Sequence, residues 1–511
     1  MKNSNTVLIK PVTMKNLFSC FIFLSISTFT GFSQDCNCPG SFDWMVNTFK
    51  TNDAGFQYVV DKKGADEYAK HTNYYRDKAL NTTSSDSCLI LLNKWLSFFR
   101  KGHIGAFPKN GFGWNAQSPA LSDHSKDSIR VLYKNEEVID FSKEQFRGYL
   151  QKRQGKLNPI EGIWKSNNYS IGIMQSPGKD NQFVAFIIKA DSVYWLPKQK
   201  KAVFTMNKDS AFSVVYSMRD HSKKNENARM VGKSGNILLM MNTIWLKDFP
   251  ASSFTQKDEL FLKLRNARSP FINSLSKKTL YLRIPSFNYS QKVSIDSLLH
   301  SNDSLIKTTP NLIIDIRNGT GGSDYSFFGL LPYIYTQPIR TVDMKYLATE
   351  LNAQGYEEYA KGISDTAGAN RCWRIASKMR QHLGTFITWD SSNVSVDSSY
   401  APTSLPRKVA IICNQYNGST DESFLYQVKQ SSKVKVFGRP TSGALDFSNI
   451  HIVDFPNGLY QLIYTMTASF RIPDFPIDDI GLQPDFYIDE TIPEENWIYY
   501  VQSTVERFPS L

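Results

Sequence analysis

The sequence predicts a multidomain protein that combines α+β and α/β architecture, and three observations carry that prediction. The chain has 511 residues, which is too long for a single hydrophobic core. Residues 128–255 hold short segments rich in β-branched and aromatic residues with turn residues between them, as expected of a small barrel or sandwich, and we predict a barrel-like domain. From residue 270 to residue 490, apolar strands alternate with helical segments, which predicts an α/β core with a mixed sheet.

The chain begins with a segment typical of a secretory signal peptide. Residues 17–32 read LFSCFIFLSISTFTGF, and this apolar run follows Lys15 and precedes Ser33. A membrane span needs about 20 apolar residues, so the run is too short for one. We therefore predict that residues 1–33 are a cleaved signal peptide, that the mature protein is periplasmic or extracellular, and that it has no stable membrane span.

Three further segments complete the predicted organisation. Residues 34–127 read as a helical region that carries His103. Residues 342–400 are polar and partly helical, and they interrupt the α/β core as an insertion or lid. Residues 491–511 are predicted to form a C-terminal helix.

Five cysteines follow the signal segment, namely Cys36, Cys38, Cys88, Cys372 and Cys413. An odd number leaves at least one free thiol, and in an oxidising compartment Cys88 has two candidate partners, Cys36 and Cys38. No further ligands stand at metal-like spacing near Cys36 and Cys38, so the sequence implies no metal site. It implies no organic cofactor either.

The composition and charge exclude two other classes of protein. With 41% hydrophobic and 21% charged residues, the chain is that of an ordered globular protein rather than a disordered one. The net charge is +12, but the basic residues are scattered instead of forming a stripe interleaved with aromatic residues. The sequence therefore predicts no nucleic-acid partner, and it leaves the oligomeric state open.

A glycine-rich turn is the first candidate for chemistry. The apolar strand NLIIDI runs directly into the segment from Asp315 to Asp324. Gly321 and Gly322 allow the backbone to approach a ligand closely and to point N–H groups at it, which suits an oxyanion or a phosphate. The segment lacks the ending of a P-loop and the glycine spacing of a dinucleotide fingerprint. A tight strand-to-helix turn explains the pattern equally well.

Ser419 is the second candidate. It follows the apolar strand KVAIICN, and a helix begins near Asp421. A hydroxyl at a helix N-terminus lies beside unpaired backbone N–H groups, that of Thr420 first, which can stabilise an oxyanion. However, Ser419 and Glu422 also fit a capping box, so this motif alone favours a helix cap over a nucleophile.

A histidine and an acid are the remaining candidates. His103 follows Gly102 at the abrupt end of a buried helical segment. Asp478 and Asp479 precede a turn near the C-terminus. Taken alone, a single histidine is more often structural, because a catalytic base must also be oriented by a third group. Acids in turns are more often solvated or capping.

In their order along the chain, these four segments together resemble the family of tail-specific, or C-terminal-processing, serine peptidases, which includes the tricorn core protease and the interphotoreceptor retinoid-binding protein modules. The resemblance covers about residues 275–490 and the segment ending at His103. The matching positions are Gly102, His103, Asp315, Arg317, Gly319, Gly321, Gly322, Ser419, Glu422, Asp478, Gly481, Pro484 and Asp485. The resemblance implies a mixed-sheet, ClpP/crotonase-like peptidase core that acts on a peptide or protein substrate.

The family has two catalytic arrangements, and the sequence matches the second. A Ser-Lys dyad needs a lysine in the segment that follows the nucleophile, where this chain has Ala444. A tricorn-like arrangement of serine, histidine and carboxylate is matched by Ser419, His103 and Asp478. Asp479 is an adjacent alternative for the acid, which in the family is usually glutamate.

The mechanism that the resemblance implies is acyl transfer through a serine nucleophile. His103 takes the proton of Ser419, and Asp478 orients the imidazole. Backbone N–H groups hold the oxyanion, namely those of Thr420 and of Gly321 or Gly322.

Two other functions fit the same fold. The missing lysine and the shorter acid suggest a catalytically inactive binding protein, while an esterase-type acyl hydrolase would use the same site. The barrel-like region stands where many relatives carry a peptide-binding PDZ domain, but it lacks a Gly-Leu-Gly-Phe carboxylate-binding loop.

Overall fold

The computed structural model describes residues 36–109, 123–207, 211–241 and 243–507. The predicted signal peptide, residues 1–33, lies outside the described residues. The described chain forms an N-terminal helical segment, a closed barrel and an α/β core with a mixed sheet. The predicted fold class is therefore confirmed. None of the described helices is long and apolar enough to cross a membrane.

The N-terminal segment contains four α-helices and one short strand, namely α1 (Cys38–Asn52), α2 (Phe56–Lys63), α3 (Ala65–Leu80), α4 (Ser85–Leu96) and β1 (Gly105–Pro108). The side chains of Asn37 and Ser84 cap α1 and α4 by accepting backbone N–H groups of the first turn. Edge-to-face aromatic contacts of Trp95 with Phe49 and Phe99 fill the space between the helices.

A disulfide joins Cys38 at the start of α1 to Cys88 in α4, with a sequence separation of 50. A cross-link over a loop of that length restricts the unfolded chain, so its removal costs about 2–4 kcal/mol of stability. We expect the Cys38→Ser/Cys88→Ser double variant to unfold at a lower temperature in calorimetry. The Cys36→Ser variant, which keeps the disulfide, is the control, and equal melting of the double variant and the control would contradict the expectation.

The middle of the chain is a closed antiparallel barrel preceded by two helices, with the elements α5 (Asp123–Tyr133), α6 (Lys143–Lys152), β2 (Gly162–Ser166), β3 (Tyr169–Gln175), β4 (Gln182–Lys189), β5 (Lys200–Met206), β6 (Phe212–Ser217), β7 (Lys223–Val231), β8 (Ile237–Met240) and β9 (Thr243–Phe249). Each strand pairs with the next, and β9 pairs with β2 to close the sheet. Trp164 is buried in the interior and donates its indole N–H to the carbonyl of Ile160 at 2.8 Å. Large apolar side chains fill the barrel, so it is a packed core.

The rest of the chain forms the α/β core from the following elements, in chain order: α7 (Gln256–Asn266), β10 (Phe271–Ser276), β11 (Thr279–Arg283), α8 (Lys292–Ser301), α9 (Asp303–Thr308), β12 (Asn311–Asp315), α10 (Leu331–Ile334), β13 (Ile339–Val342), β14 (Met344–Leu347), α11 (Glu350–Gly362), α12 (Thr366–Gln381), β15 (Phe386–Thr388), β16 (Val394–Asp397), β17 (Lys408–Cys413), α13 (Thr420–Val428), β18 (Val434–Gly438), β19 (Phe447–Asp454), β20 (Tyr460–Ser469), β21 (Phe486–Tyr487) and α14 (Trp497–Arg507).

A six-stranded sheet in the order β10-β11-β12-β17-β18-β21 is the centre of the core. All neighbouring strands are parallel except β10 and β11. Leu312 and Ile314 of β12 pack on one face with α13, and Ile313 packs on the other face with α14. Strands buried on both faces account for the continuous apolar runs in the sequence. Since β12 and β17 are adjacent and parallel, the loops that follow them meet at one edge of the sheet.

A second sheet, in the order β1-β20-β14-β15 with β19 also paired to β20, joins the N-terminal segment to the core. Gly105 of β1 pairs with Ile463 of β20, which fixes the chain just after His103. The segment 342–400 supplies β14 and β15 to this sheet, and α11 and α12 share a hydrophobic cluster with the N-terminal helices. The domain boundaries themselves and the lid function stay predictions.

Candidate active site

Ser419 lies at the junction between strand β17 and helix α13, in a backbone conformation that serine rarely adopts. Its φ is 59° and its ψ is −122°. An ordinary N-cap residue has an extended conformation with negative φ, so the backbone here does more than start a helix. Strain of this kind costs about 1–3 kcal/mol and is typical of functional sites. The strand-to-helix turn presents the residue at the N-terminus of α13, where the helix dipole favours negative charge.

Glu422 holds this junction in place from inside the protein. Its Oε2 accepts the N–H of Ser419 at 3.1 Å and that of Ala444 at 2.8 Å. Its Oε1 accepts the N–H of Gly443 at 2.8 Å and the hydroxyl of Thr441. The carboxyl is fully buried, and burial raises its pKa. Glu422 therefore ties the backbone at Ser419 to the loop 441–444.

The glycine-rich turn after β12 packs directly against Ser419. Gly321 has φ +83°, and a Cβ there would lie 2.7 Å from the Cβ of Ser419 and 3.0 Å from the N of Thr420. Only glycine fits this position, because both the space and the left-handed conformation exclude a side chain. The turn after β12 therefore lies directly against the turn that carries Ser419.

The N–H groups of this turn point in different directions. The N–H of Gly321 donates to the buried carboxyl of Asp421 at 3.3 Å, and that of Ser323 donates to the carbonyl of Phe287 at 2.9 Å. Among the described residues, the N–H groups of Gly322 and Thr420 have no hydrogen-bond partner. Of the two glycines predicted for the oxyanion hole, Gly322 thus has the available donor, while Gly321 makes room for Ser419.

Asp421 and two asparagines connect the turns after β12 and β17. Asn417 donates to the carbonyl of Ile316 at 2.6 Å and to Asp421 at 2.9 Å. Asn414 donates to the side chain of Asn318 at 2.9 Å. Burial raises the pKa of Asp421 to about 7. These amide bonds hold the two loops in one fixed geometry.

His103 approaches the site from the second sheet. The residue before it, Gly102, lies against Ala444, since a Cβ on Gly102 would be 2.5 Å from the Cβ of Ala444. On the other side, the carbonyl of Ala444 accepts the N–H of Ser419 at 3.1 Å. Ala444 therefore stands between the segments that carry His103 and Ser419, and the structure brings these two predicted residues to the same loop.

The imidazole of His103 has its tautomer set by the backbone. Its Nδ1 lies 2.6 Å from the carbonyl oxygen of Phe447. A carbonyl oxygen only accepts, so Nδ1 carries the proton and the neutral ring has its lone pair on Nε2. Burial lowers the pKa of His103, and Arg100 lowers it further, so the neutral form prevails. This is the form that a general base requires.

A buried ion pair supports the histidine segment. Arg100 forms a bidentate pair with Asp53 at 2.9 and 2.5 Å and also donates to the hydroxyl of Thr465 at 2.9 Å. Its guanidinium lies 5.0 Å from the ring centroid of Phe447, whose carbonyl contacts His103. The pair thus fixes the end of the helical segment to β20 and to the start of β19.

The sequence predicted that Asp478 orients His103 directly, but the carboxyl of Asp478 contacts backbone N–H groups instead. Its Oδ1 accepts the N–H groups of Leu445 and Asp446, both at 2.6 Å. Asp446 returns the contact, because its Oδ2 accepts the N–H groups of residues 477 and 478 at 2.6 and 2.8 Å. Burial and the charge of Asp446 raise the pKa of Asp478 to about 7. The polar atom at Nδ1 of the histidine is the carbonyl of Phe447, two residues beyond Leu445.

Asp479, the alternative acid, is placed differently. Its Oδ1 accepts the N–H of Lys101 at 3.2 Å, and its own N–H donates to the carbonyl of Gly443 at 3.0 Å. Asp479 therefore ties Lys101, which lies two residues before His103, to the loop that contains Ala444. Neither aspartate has a hydrogen bond to His103 in the part of the chain that the structure describes.

Gly102 and Ala444 form a steric pair, and this yields a prediction. A methyl group at residue 102 would overlap the methyl group of Ala444, so we expect Gly102→Ala to cost about 1–3 kcal/mol and to displace His103. The measurements are the melting temperature and kcat/KM. In Gly148→Ala, the added methyl group in α6 meets no atom within 4 Å, so this control should be neutral or stabilised. Equal behaviour of the two variants would contradict the steric account.

Some residues of the site were absent from the sequence-level prediction. Asp53, Arg100 and Asp446 are buried charged residues, and Phe447 contributes only a backbone carbonyl. Any residue type can supply a backbone carbonyl, so the sequence does not indicate this contact. The one signal in the sequence was the charge of Arg100 at the end of an otherwise apolar helical segment.

A comparison with known protein families gives a match to the α/β core. Residues 278–488 match the model of peptidase family S41. The match and the fold define a serine-type peptidase. Over these residues, which make up less than half of the chain, the protein is similar to peptidase family S41.

Solved structures align with most of the chain at low identity. Mature CPAF complexed with lactacystin aligns at 12% identity over 92% of this chain and 97% of that chain, with a TM-score of 0.47. The photosystem II D1 C-terminal processing protease aligns at 12% identity over 89% and 94%, with a TM-score of 0.35. The tricorn protease aligns at 11% identity over 92% of this chain and 36% of that chain, with a TM-score of 0.39. No curated protein matches the chain.

Proposed function

We propose that this protein is an exported serine peptidase that hydrolyses peptide bonds through an acyl-enzyme formed on Ser419. His103 is its general base, and no lysine takes part. The observation that carries the proposal is the pair of contacts made by Ala444, the residue that stands where a Ser-Lys dyad would have its lysine. Its methyl group packs against Gly102, next to His103, and its carbonyl accepts the N–H of Ser419.

The proposed reaction has four steps. Nε2 of His103 takes the hydroxyl proton of Ser419 as Oγ attacks the scissile carbonyl carbon. The tetrahedral oxyanion accepts hydrogen bonds from the N–H groups of Thr420 and Gly322. The imidazolium gives its proton to the leaving amine as the C–N bond breaks. A water molecule, deprotonated by the same histidine, then hydrolyses the acyl-enzyme and regenerates Ser419.

Asp478 takes part in this proposal as a positioning residue. Its carboxyl fixes the N–H groups of Leu445 and Asp446, and this holds the carbonyl of Phe447 against His103. The chain of contacts replaces a direct carboxylate–imidazole bond. A neutral side chain with the same acceptor oxygen would serve as well.

The role of Asp478 can be separated from that of an orienting acid by one pair of variants. Asp478→Asn keeps an acceptor oxygen, so we expect kcat to fall less than about tenfold. Asp478→Ala removes the acceptor and leaves two backbone N–H groups unpaired, which costs about 1–3 kcal/mol each and should displace Phe447. A loss of about 10⁴-fold in Asp478→Asn, as expected where an aspartate contacts the catalytic histidine directly, would contradict the positioning role.

Export is supported by two features of different kinds. The apolar run at residues 17–32 has the length and flanking residues of a signal peptide. The disulfide between Cys38 and Cys88 is of the type that persists in oxidising compartments. Secretion assays that compare the full chain with a variant lacking residues 1–33 test this part of the proposal, and equal export of both would overturn it.

The peptidase proposal is tested with the purified chain on two substrates. Cleavage of unfolded casein is followed by mass spectrometry, and hydrolysis of p-nitrophenyl butyrate is followed by absorbance. Cleavage of casein that is lost in Ser419→Ala supports the proposal. Hydrolysis of the ester without cleavage of casein indicates an acyl hydrolase instead. Turnover of neither substrate, with casein retained on the protein, indicates a binding protein.

A further inference from the structure

A lysine inside the barrel occupies an unusual backbone position. In the pairing of β4 with β5, Ala185 lies opposite Ala202 and Phe186 lies opposite Lys200. Lys201 is therefore the extra residue of a β-bulge. A bulge re-aims a side chain relative to the regular alternation of a strand. Lys201 is only 2% exposed as a result.

Aromatic rings surround the amine of Lys201. Its Nζ lies 3.7 Å from the ring centroid of Trp195, 4.6 Å from that of Tyr216 and 5.5 Å from that of Tyr169. The other face of Trp195 stacks on His221 at 3.8 Å. The rings provide the cation–π attraction that a desolvated ammonium group prefers, but they provide no hydrogen-bond acceptor of full strength.

Several buried donors at this end of the barrel lack an acceptor. Within the described ranges, Nζ of Lys201 has neither a hydrogen bond nor an ion pair. The indole N–H groups of Trp195 and Trp245 are also buried without a partner. Leu246, the residue after Trp245, pairs with Lys165 near the end of β2. Trp245 therefore lies toward the same end of the barrel as Lys201. Buried donors are nearly always paired, so two unpaired indole N–H groups and an amine without an acceptor point to an acceptor from outside the chain.

The rim adds positive charge around these donors. Lys223 donates to the hydroxyl of Ser217 at 2.7 Å, and the guanidinium of Arg219 lies 4.0 Å from the ring centroid of Tyr194. Neither contact supplies a negative charge. Asp191 is the acid that acts electrostatically on Lys201, and its Oδ1 already accepts three backbone N–H groups of residues 193–195.

Two further acids lie at this rim, but Glu136 contacts His221 at 3.1 Å and Asp220 accepts the hydroxyl of Ser222 at 2.6 Å, and in the described part of the chain neither has a hydrogen bond to Lys201. Burial lowers the pKa of Lys201 to about 7, as expected for an amine with no direct hydrogen-bond acceptor. A negative group beside Nζ would favour the charged form, and the partly exposed ring of Tyr169 would contact an apolar body attached to that group.

We infer that this end of the barrel, defined by Tyr169, Trp195, Lys201 and Tyr216, binds a carboxylate carried on an apolar body. The carboxylate contacts Nζ of Lys201, and the apolar part lies against Tyr169, the one of the three rings that is partly exposed. This site is separate from the peptidase residues in the α/β core, and it does not depend on catalysis.

The test is calorimetric titration of the full chain with octanoate and with octan-1-ol at pH 6.5. We expect octanoate to bind the wild-type chain at least about tenfold more tightly than octan-1-ol, because a hydrogen bond between charged groups is roughly twice as strong as one between neutral groups. In Lys201→Met, which keeps the length of the side chain without its charge, octanoate should bind at least about tenfold more weakly.

Lys200→Met is the matched control, because Lys200 is the neighbouring lysine on β5 and pairs outside with Glu137 at 2.8 Å. It should bind octanoate as the wild type does. The inference is overturned if octanoate fails to bind the wild type, if octan-1-ol binds equally well, or if both lysine variants bind alike. The comparison of the two ligands on the wild type holds whether or not Lys201→Met folds.

Discussion

Replacement of Ser419 with alanine is expected to lower kcat for peptide hydrolysis by about 10⁵–10⁶-fold, or about 7–8 kcal/mol of transition-state stabilisation. The hydroxyl is the group that forms the acyl-enzyme, and no neighbouring side chain can replace it. KM should change little, because alanine keeps the backbone and the N–H groups of the site. Steady-state kinetics with a fluorogenic peptide measure both constants.

Ser432→Ala is the control for this variant, since Ser432 is an exposed serine on the loop that follows α13. It should keep wild-type kinetics. Retention of more than about one hundredth of the wild-type kcat in Ser419→Ala, with a purified and folded protein, would show that another residue is the nucleophile.

Replacement of His103 with alanine is the second large effect, with kcat expected to fall by about 10⁴–10⁶-fold. The pH profile gives an independent check. Catalysis needs neutral His103, and burial holds its pKa below the ordinary value of 6.5. Activity should therefore be full at neutral pH and fall as pH decreases through that lowered pKa, so the midpoint of the acid limb of kcat/KM lies below 6.5.

Two variants test whether this acid limb belongs to His103. The Asp478→Asn variant lacks a titratable carboxyl and should keep the limb. The exposed His382 serves as the histidine control, and His382→Ala should keep both the rate and the profile. A midpoint above about 7, or loss of the limb in Asp478→Asn, would assign the titration to another group.

The sequence was sufficient for those parts of the fold that rest on a local pattern. Apolar runs such as NLIIDI and KVAIICN predicted strands buried on both faces, and the structure confirms them as adjacent parallel strands. Regular short strands with turns predicted a small barrel or sandwich, and the structure shows a barrel that closes through the pairing of β2 with β9. Loops at the carboxyl ends of adjacent parallel strands must meet, so the proximity of Gly321 and Ser419 followed from the topology.

Contacts that depend on long-range backbone geometry could not be predicted in this way. The partner of His103 is the carbonyl of Phe447, and any residue type can supply a carbonyl. The direction of the Gly321 N–H toward Asp421 depends on φ and ψ angles that two adjacent glycines leave open. Asp478 was identified by its position in a motif, but its contact with residues 445 and 446 required the register of two loops.

The disulfide illustrates the same limit. Spacing alone left Cys36 and Cys38 as alternative partners of Cys88, since both lie at the same end of the chain. The start of α1 at Cys38 puts that side chain against α4, whereas Cys36 lies beside the hydroxyl of Tyr460 at 3.5 Å.

Covalent labelling tests the account most directly. The purified protein is treated with a fluorophosphonate, digested, and analysed by mass spectrometry for the site and rate of adduct formation. We predict a single adduct on Ser419 in the wild type, no adduct in Ser419→Ala, and labelling at least about 10³-fold slower in His103→Ala, because the hydroxyl then has no base. Labelling of the wild type no faster than Ser419→Ala, or unchanged labelling in His103→Ala, would contradict a Ser419 nucleophile served by His103.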